Sequence, residues 1–221
     1  MLKEDVQIIE MTFVNAFLIK VIDGFILIDT GLSMFWERLE NELLMVGCLP
    51  DKLKLVVITH GDTDHIGNCA ILQEKYKCKI AMHKDDSLMA EESLVVKRKV
   101  KTLMAKIFIF LRRLKRRKIA FKNFKPDVYL VDGQSLNGYG LNASVVHIPG
   151  HTKGSIGILA DDGSLFAGDT FTNRKKPDTA TYIENSEELK NSIVRLKSMP
   201  IKTIYPGHGK PFDIKEITCK L

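Results

Sequence analysis

Leu53-Lys54-Leu55-Val56-Val57-Ile58 runs directly into Thr59-His60-Gly61-Asp62-Thr63-Asp64-His65, and this junction decides the architecture. The first part is almost continuously apolar, as a strand buried on both faces requires. The second packs two imidazoles and two carboxylates into six positions, at the carboxyl end of a strand, where the loops of α/β sheets build their sites. Imidazole nitrogen with carboxylate oxygen is a donor set for Zn²⁺, Fe or Mn²⁺. Gly61 and Gly67 allow the backbone to turn sharply around such ions. The plainer reading is a polar loop with an aspartate at a helix N-cap, where Asp is favoured.

Upstream, Thr12 to Ile22 and Phe25 to Asp29 read as strands joined at Asp23-Gly24, a dipeptide suited to a type I′ turn. A helical pattern over Met34 to Val46 stops at Gly47 and Pro50. Downstream, Ile66 to Tyr76 is a helix candidate and Cys78 to Met82 a short strand, which gives the alternation of a layered α/β fold. Strands are expected again at Ala143 to Ile148, Gly157 to Leu159, Leu165 to Ala167 and Lys202 to Tyr205, with a helix from Ser186.

Three of those later strands end in a glycine beside one further donor: Gly150-His151, Gly168-Asp169 and Gly207-His208. Four of the six histidines thus sit at glycine-flanked strand ends, which scattered surface histidines would rarely do. His83 and His147 do not fit that pattern and read as structural. Tyr139, Asn173 and Tyr205 are not assigned a role.

The order HxHxDH, PGHT, GD, PGHG resembles the metallo-β-lactamase superfamily over nearly the whole chain, with Asp62 in place of the second histidine. The resemblance implies an α/β fold, an αβ/βα four-layer sandwich with two central mixed β-sheets. It implies one site of His60, Asp62 and His151, a second of Asp64, His65 and His208, and Asp169 bridging them. Asp29 resembles the family's early structural aspartate. The implied cofactors are two divalent metal ions, Zn²⁺ foremost, with Fe or Mn²⁺ favoured by the harder carboxylate at position 62. Three carboxylates and a bridging hydroxide balance two such cations in charge. The implied reaction is hydrolysis of an ester-like bond, a carboxylic ester, lactone, thioester or phosphodiester, by a metal-bound hydroxide that Asp64 orients. The alternatives are a flavodiiron-like redox protein with a di-iron centre and a non-catalytic metal-binding scaffold.

At 221 residues and 45% hydrophobic composition, a single domain over 1–221 can fold on its own core. Its net charge of +6 is local: Lys97 to Lys125 holds thirteen Lys or Arg and no acid, leaving −7 elsewhere. Within that segment Val96, Val100, Leu103, Ile107, Phe110 and Leu114 recur at helical spacing. We expect a basic helical insertion at about 85–125 that walls the cleft and helps attract an anionic small-molecule substrate. Nucleic-acid or anionic-membrane contact through residues 97–125 is the less favoured partner reading. Cys48, Cys69, Cys78 and Cys219 lack CxxC pairing, and no signal peptide is evident, so a cytoplasmic location is expected. The chain ends thirteen residues after His208, so the extra helical domain of glyoxalase II-like members is not expected.

Overall fold

The computed structural model describes residues 5–94, 99–100 and 121–217. The chain opens on β1 (Val6–Met11), which pairs antiparallel with β2 (Val14–Val21), followed by β3 (Gly24–Ile28). The expected strands Thr12 to Ile22 and Phe25 to Asp29 are β2 and β3, and β1 precedes them without a sequence signal. Thr12 itself is at the turn, with φ of 60° and Met11 opposite Val14. The next turn also differs from the type I′ expectation: Val21 pairs with Gly24, so Ile22 and Asp23 form the tip, and neither has positive φ. Gly24 is needed for another reason. A Cβ there would lie 2.2 Å from the Lys52 carbonyl of the adjoining chain.

A 3-10 turn at Ser33–Phe35 leads into α1 (Trp36–Met45), whose Leu39 and Leu43, one turn apart, are its buried face. β4 (Leu53–Val57) follows, then α2 (Thr63–Ile66), α3 (Cys69–Tyr76), β5 (Lys79–His83) and α4 (Ser87–Glu91). The expected continuous helix over 66–76 is broken at Gly67-Asn68. A Cβ on Gly67 would lie 2.4 Å from Ser33 N, while Asn68 Nδ2 donates to the Thr30 and Leu32 carbonyls at 2.6 and 3.1 Å. Close packing against the 30–33 loop therefore overrides helix continuity.

The short β6 (Lys99–Val100) and β7 (Val128–Leu130) bracket residues 101–120. The expected long basic helix over Lys97 to Lys118 falls outside the described residues apart from β6. At the start of the expected insertion Asp86, Ser87, Met89 and Ala90 are buried. At its other end Phe124 is buried in the core and Phe121 packs against it.

The second half contains β8 (Ala143–His147), β9 (Ile156–Ala160), β10 (Ser164–Asn173), β11 (Asp178–Thr179), β12 (Tyr182–Ile183), α5 (Ser186–Lys197), β13 (Thr203–Gly209) and β14 (Phe212–Asp213). Helix α5 is well specified locally. The Asn185 side chain accepts from Glu187 N and Glu188 N, acids fill the first turn, and Arg195 and Lys197 fill the last. Leu189, Ser192, Ile193 and Leu196 form its buried stripe.

One six-stranded sheet runs β1-β2-β3-β4-β5-β7, and the other runs β14-β13-β10-β9-β8 with β11 beside β10. Both are mixed, since β3-β4-β5-β7 and β10-β13 pair in parallel while their other neighbours are antiparallel. Alternation along the strands sorts their side chains into three cores. Leu55 and Val57 of β4 face the other sheet, with Phe17, Ile26, Ile158, Phe166 and Tyr205. Val56 and Ile58 point the opposite way, toward Leu39, Leu43, Ile66 and Leu72 of the helices. Leu159 and Leu165 of the second sheet pack on Leu189, Ile193 and Leu196 of α5. Helix, sheet, sheet, helix is thus the observed layering, as the α/β sandwich expectation required. Among the described residues no helix is long and apolar enough to cross a membrane.

Candidate metal centre

All seven predicted donors come together past the carboxyl ends of β4 and β8 and within the carboxyl-terminal halves of β10 and β13. Donor atoms lie within 4.8 Å of one another in each of three overlapping groups: His60-Asp62-His151, His60-His65-Asp169 and Asp64-His65-His208. The first and third are the two sites implied by the resemblance. Asp169 sits between them, 3.3 Å from His65 Nε2, 3.1 Å from His208 Nε2 and 3.8 Å from His151 Nε2.

Each imidazole is oriented through Nδ1. His65 Nδ1 lies 2.8 Å from Asp29 Oδ2, His151 Nδ1 2.7 Å from the Tyr182 carbonyl, and His208 Nδ1 bonds the Phe13 carbonyl. His60 Nδ1 lies 3.0 Å from the Thr59 hydroxyl, which donates to Asp29 at 2.8 Å. That hydroxyl has one proton, already given to a carboxylate, so it accepts from His60. All four rings therefore carry the proton on Nδ1 and turn Nε2 inward, the orientation that metal-binding histidines take from their outer partners.

The inward faces are what an ion would need. His60 Nε2, His65 Nε2 and Asp169 Oδ1 are buried without a hydrogen-bond partner. His151 Nε2 faces Asp62 Oδ2 at 3.1 Å, and the same oxygen lies 3.4 Å from His60 Nε2. Lone pairs of nitrogen and carboxylate meeting at that distance repel unless a cation or a proton lies between them. The donor set and its geometry fit divalent ions.

Electrostatics follows the carboxylates. Burial pushes the His65 pKa down, but Asp29 and Asp169 outweigh it and hold it well above the ordinary value. His208 is raised in the same way, with Asp169 overcoming burial. Asp169 is held well below the usual carboxylate range although burial opposes this, because His208 and His65 flank it. His60 is lowered, by burial first and then by neighbouring His65.

Two of the donors sit differently from the sequence expectation. Asp169 and His208 were placed in loops after short strands, yet β10 runs through Asp169 to Asn173 and β13 through His208 to Gly209. Their parallel register shifts between Phe166 and Gly168 and again between Gly168 and Thr172. Such irregularities re-aim side chains, and Gly168, at φ of 49°, makes the bend. At Gly207 a Cβ would lie 2.5 Å from Asp169 Oδ1 and 2.7 Å from His65 Cε1, so glycine leaves room for the cluster.

Asp29 lies beneath the centre, fully buried, at φ of 59°, accepting from Thr59 N as well as from the Thr59 hydroxyl. Sequence reading missed Asp86. It is buried at the other end of the cluster and accepts from Gly61 N at 2.8 Å, the Thr152 hydroxyl at 2.7 Å and Gly154 N at 2.8 Å. Its signal was weak: an Asp-Asp pair at an expected insertion boundary resembles any solvated turn.

The discounted residues stay outside the cluster. His83 and His147 stack on each other, centroids 4.3 Å apart and 7° from parallel, with Asp85 N and the Lys153 carbonyl as partners. Tyr205 is buried between the sheets against Phe17 and Phe166, and Tyr139 packs on the same core. Asn173 borders a cavity of about 870 Å³ together with Phe13, Arg38, Arg174, Lys175, Lys176 and Lys210, and none of the seven donors lines it. Another cavity of about 640 Å³ lies by the amino ends of β4 and β5 and includes none of the seven donors.

Comparison with known proteins agrees with this fold. An uncharacterized protein of Mycobacterium leprae is 29% identical over 165 residues, covering 72% of this chain and 70% of its own. A hydroxyacylglutathione hydrolase of Pelagibacter ubique is 27% identical over 160 residues, covering 71% of this chain and 52% of its own. A metallo-beta-lactamase family protein of Thermus thermophilus superposes with a TM-score of 0.73 at 20% identity, covering 96% of this chain and 76% of its own. The subclass B3 metallo-beta-lactamase BJP-1 of Bradyrhizobium japonicum does so at 0.69 and 19%, over 92% and 75%. The family model of the metallo-beta-lactamase superfamily matches residues 10–208, and with the four-layer fold and the ordered donors in place, the chain belongs to that superfamily.

Proposed function

We propose that the chain is a binuclear metal-dependent hydrolase that cleaves an ester-like bond in a small, anionic substrate. The observation carrying this reading is the set of four imidazoles, all oriented through Nδ1 and turned onto three shared carboxylates. Two divalent ions held by His60, Asp62 and His151 and by Asp64, His65 and His208, with Asp169 between, would polarise the scissile bond and lower the pKa of the attacking water. Zn²⁺ is the first candidate. The carboxylate of Asp62 leaves Fe and Mn²⁺ as alternatives.

The chain's own residues supply the rest. Of the three cluster carboxylates, Asp64 is the most open, 32% exposed against 21% for Asp62 and 13% for Asp169. It is therefore the carboxylate that water meets on entering, and it accepts that water's proton-bearing edge to set the angle of attack. A cavity that reaches Gly209, next to His208 in sequence, is lined by Arg38, Arg174, Lys175, Lys176 and Lys210 against Glu10 and Glu216, and such a surplus of cations would favour substrates carrying a negative group. Cys48, Cys69 and Cys78 are buried free thiols, which fits a reducing compartment such as the cytoplasm, and burial pushes Cys48 and Cys78 up to about 12, which keeps them protonated and inert.

The test is metal quantitation on protein purified without added metal, followed by chromogenic esters, thioesters, lactones and phosphodiesters. Two ions per chain and turnover that disappears in Asp64→Asn with the fold intact are expected. At most one tightly held ion would overturn the binuclear reading. Iron with a visible absorption band and no turnover would shift the assignment to redox chemistry.

A further inference from the structure

Asp86 and Asp29 are buried carboxylates that support different parts of the cluster. Asp29 bonds His65 and Thr59. Asp86 touches no ligand side chain. Its Oδ2 takes the Gly61 amide, which lies between His60 and Asp62, and the hydroxyl of Thr152, the residue after His151. Its Oδ1 takes the Gly154 amide of the same loop. One side chain, 25, 66 and 68 residues from its three partners, thus joins two loops that lie still farther from each other in sequence.

The glycines are matched to this contact. An ideal Cβ on Gly154 would lie 2.7 Å from the Asp86 carboxyl carbon, and one on Gly61 would lie 2.7 Å from Met89 Cβ and 3.1 Å from the Asp86 carbonyl. The bonded atoms adjoin His60, Asp62 and His151 in the chain, whereas Asp64 and His65 lie on α2, where Thr30 and Asp29 hold His65, and Asp169 and His208 lie on β10 and β13.

We propose that Asp86 is a positioning residue for one metal site only, the His60-Asp62-His151 site, by setting the distance between the loops that carry its ligands. The assignment rests on the binuclear reading above. A carboxylate is required because all three partners are donors. An asparagine offers one oxygen and turns its NH₂ toward a donor, leaving at least one bond broken.

Co²⁺ titration of metal-free protein, followed by absorbance, tests this. His151→Ala identifies which binding step belongs to the His60-Asp62-His151 site. Asp86→Asn is expected to weaken that same step by about 10- to 100-fold, the usual cost of losing an outer partner, while the other step moves by less than about threefold. Equal weakening of both steps, or no change in either, would overturn the assignment. If Asp86→Asn does not fold, Thr152→Val removes one of the three bonds without changing side-chain shape. It is then expected to weaken the same step by several-fold, and an unchanged step overturns the assignment. Wild-type protein that binds fewer than two Co²⁺ would remove the binuclear reading and this assignment together, a result visible before any variant is made.

Discussion

His65 lies between two carboxylates, Asp29 at 2.8 Å and Asp169 at 3.3 Å, whereas His60 has a threonine hydroxyl at 3.0 Å and a single carboxylate, Asp62, at 3.4 Å. Both rings are buried, and burial disfavours their charged forms equally in kind. The outcome differs because of what surrounds them. Charge dominates around His65 and raises its pKa, while at His60 desolvation prevails and lowers it. The two halves of one cluster are therefore built on different principles. The His65-His208 half is a dense electrostatic network, and the His60-His151 half depends more on where two loops are held. This comparison predicts that the first half binds a cation more tightly.

The largest expected effect comes from changing the most exposed carboxylate of the charged half. Asp64→Asn should lower turnover by roughly 10²- to 10⁴-fold, the range for a positioned proton acceptor, with thermal unfolding little changed. Near-normal turnover would place the water elsewhere. Asp29→Asn comes next, because it breaks a fully buried charged contact with three donors. Its expected cost is about 3 kcal/mol in urea unfolding of metal-free protein, together with weaker binding at the His65 site. An unfolding midpoint equal to wild type would show that Asp29 supports nothing.

Asp62→His tests the other half by making it more like its neighbours in the superfamily pattern. It should raise the share of Zn²⁺ taken from an equimolar mixture with Mn²⁺, measured by elemental analysis, because imidazole is the softer donor. An unchanged share would mean that Asp62 does not ligate. The smallest effect is expected outside the cluster. Lys175→Glu with Lys176→Glu should raise KM for an anionic substrate by several-fold at low salt and by less at high salt, since both side chains are exposed and screened. A change in kcat instead would put these lysines closer to the reacting atoms than the cavity does.

Legibility in the sequence varied in the same way. The His60 to His65 stretch was readable because consecutive donors after an apolar strand need no long-range information. Asp29 was recognisable from Leu27-Ile28-Asp29-Thr30-Gly31, but its bond to His65 was not, since 36 residues separate them. Asp86 was not legible, because nothing local distinguishes a carboxylate that accepts from distant amides from one that faces water. The break at Gly67-Asn68 was hidden for a related reason: helix propensity is local, whereas the 30–33 loop that interrupts the helix arrives from elsewhere.

By itself the sequence determined the layered α/β class, the seven donor residues and their order, because strand alternation, apolar runs and side-chain chemistry are written one residue at a time. Only the tertiary structure decided which ring nitrogen each imidazole presents and which buried carboxylate supports which group. These depend on the parallel pairing of β10 with β13, on its register shifts, and on contacts across tens to hundreds of residues. Such contacts are fixed by close packing of whole layers, a property no short stretch of chain possesses.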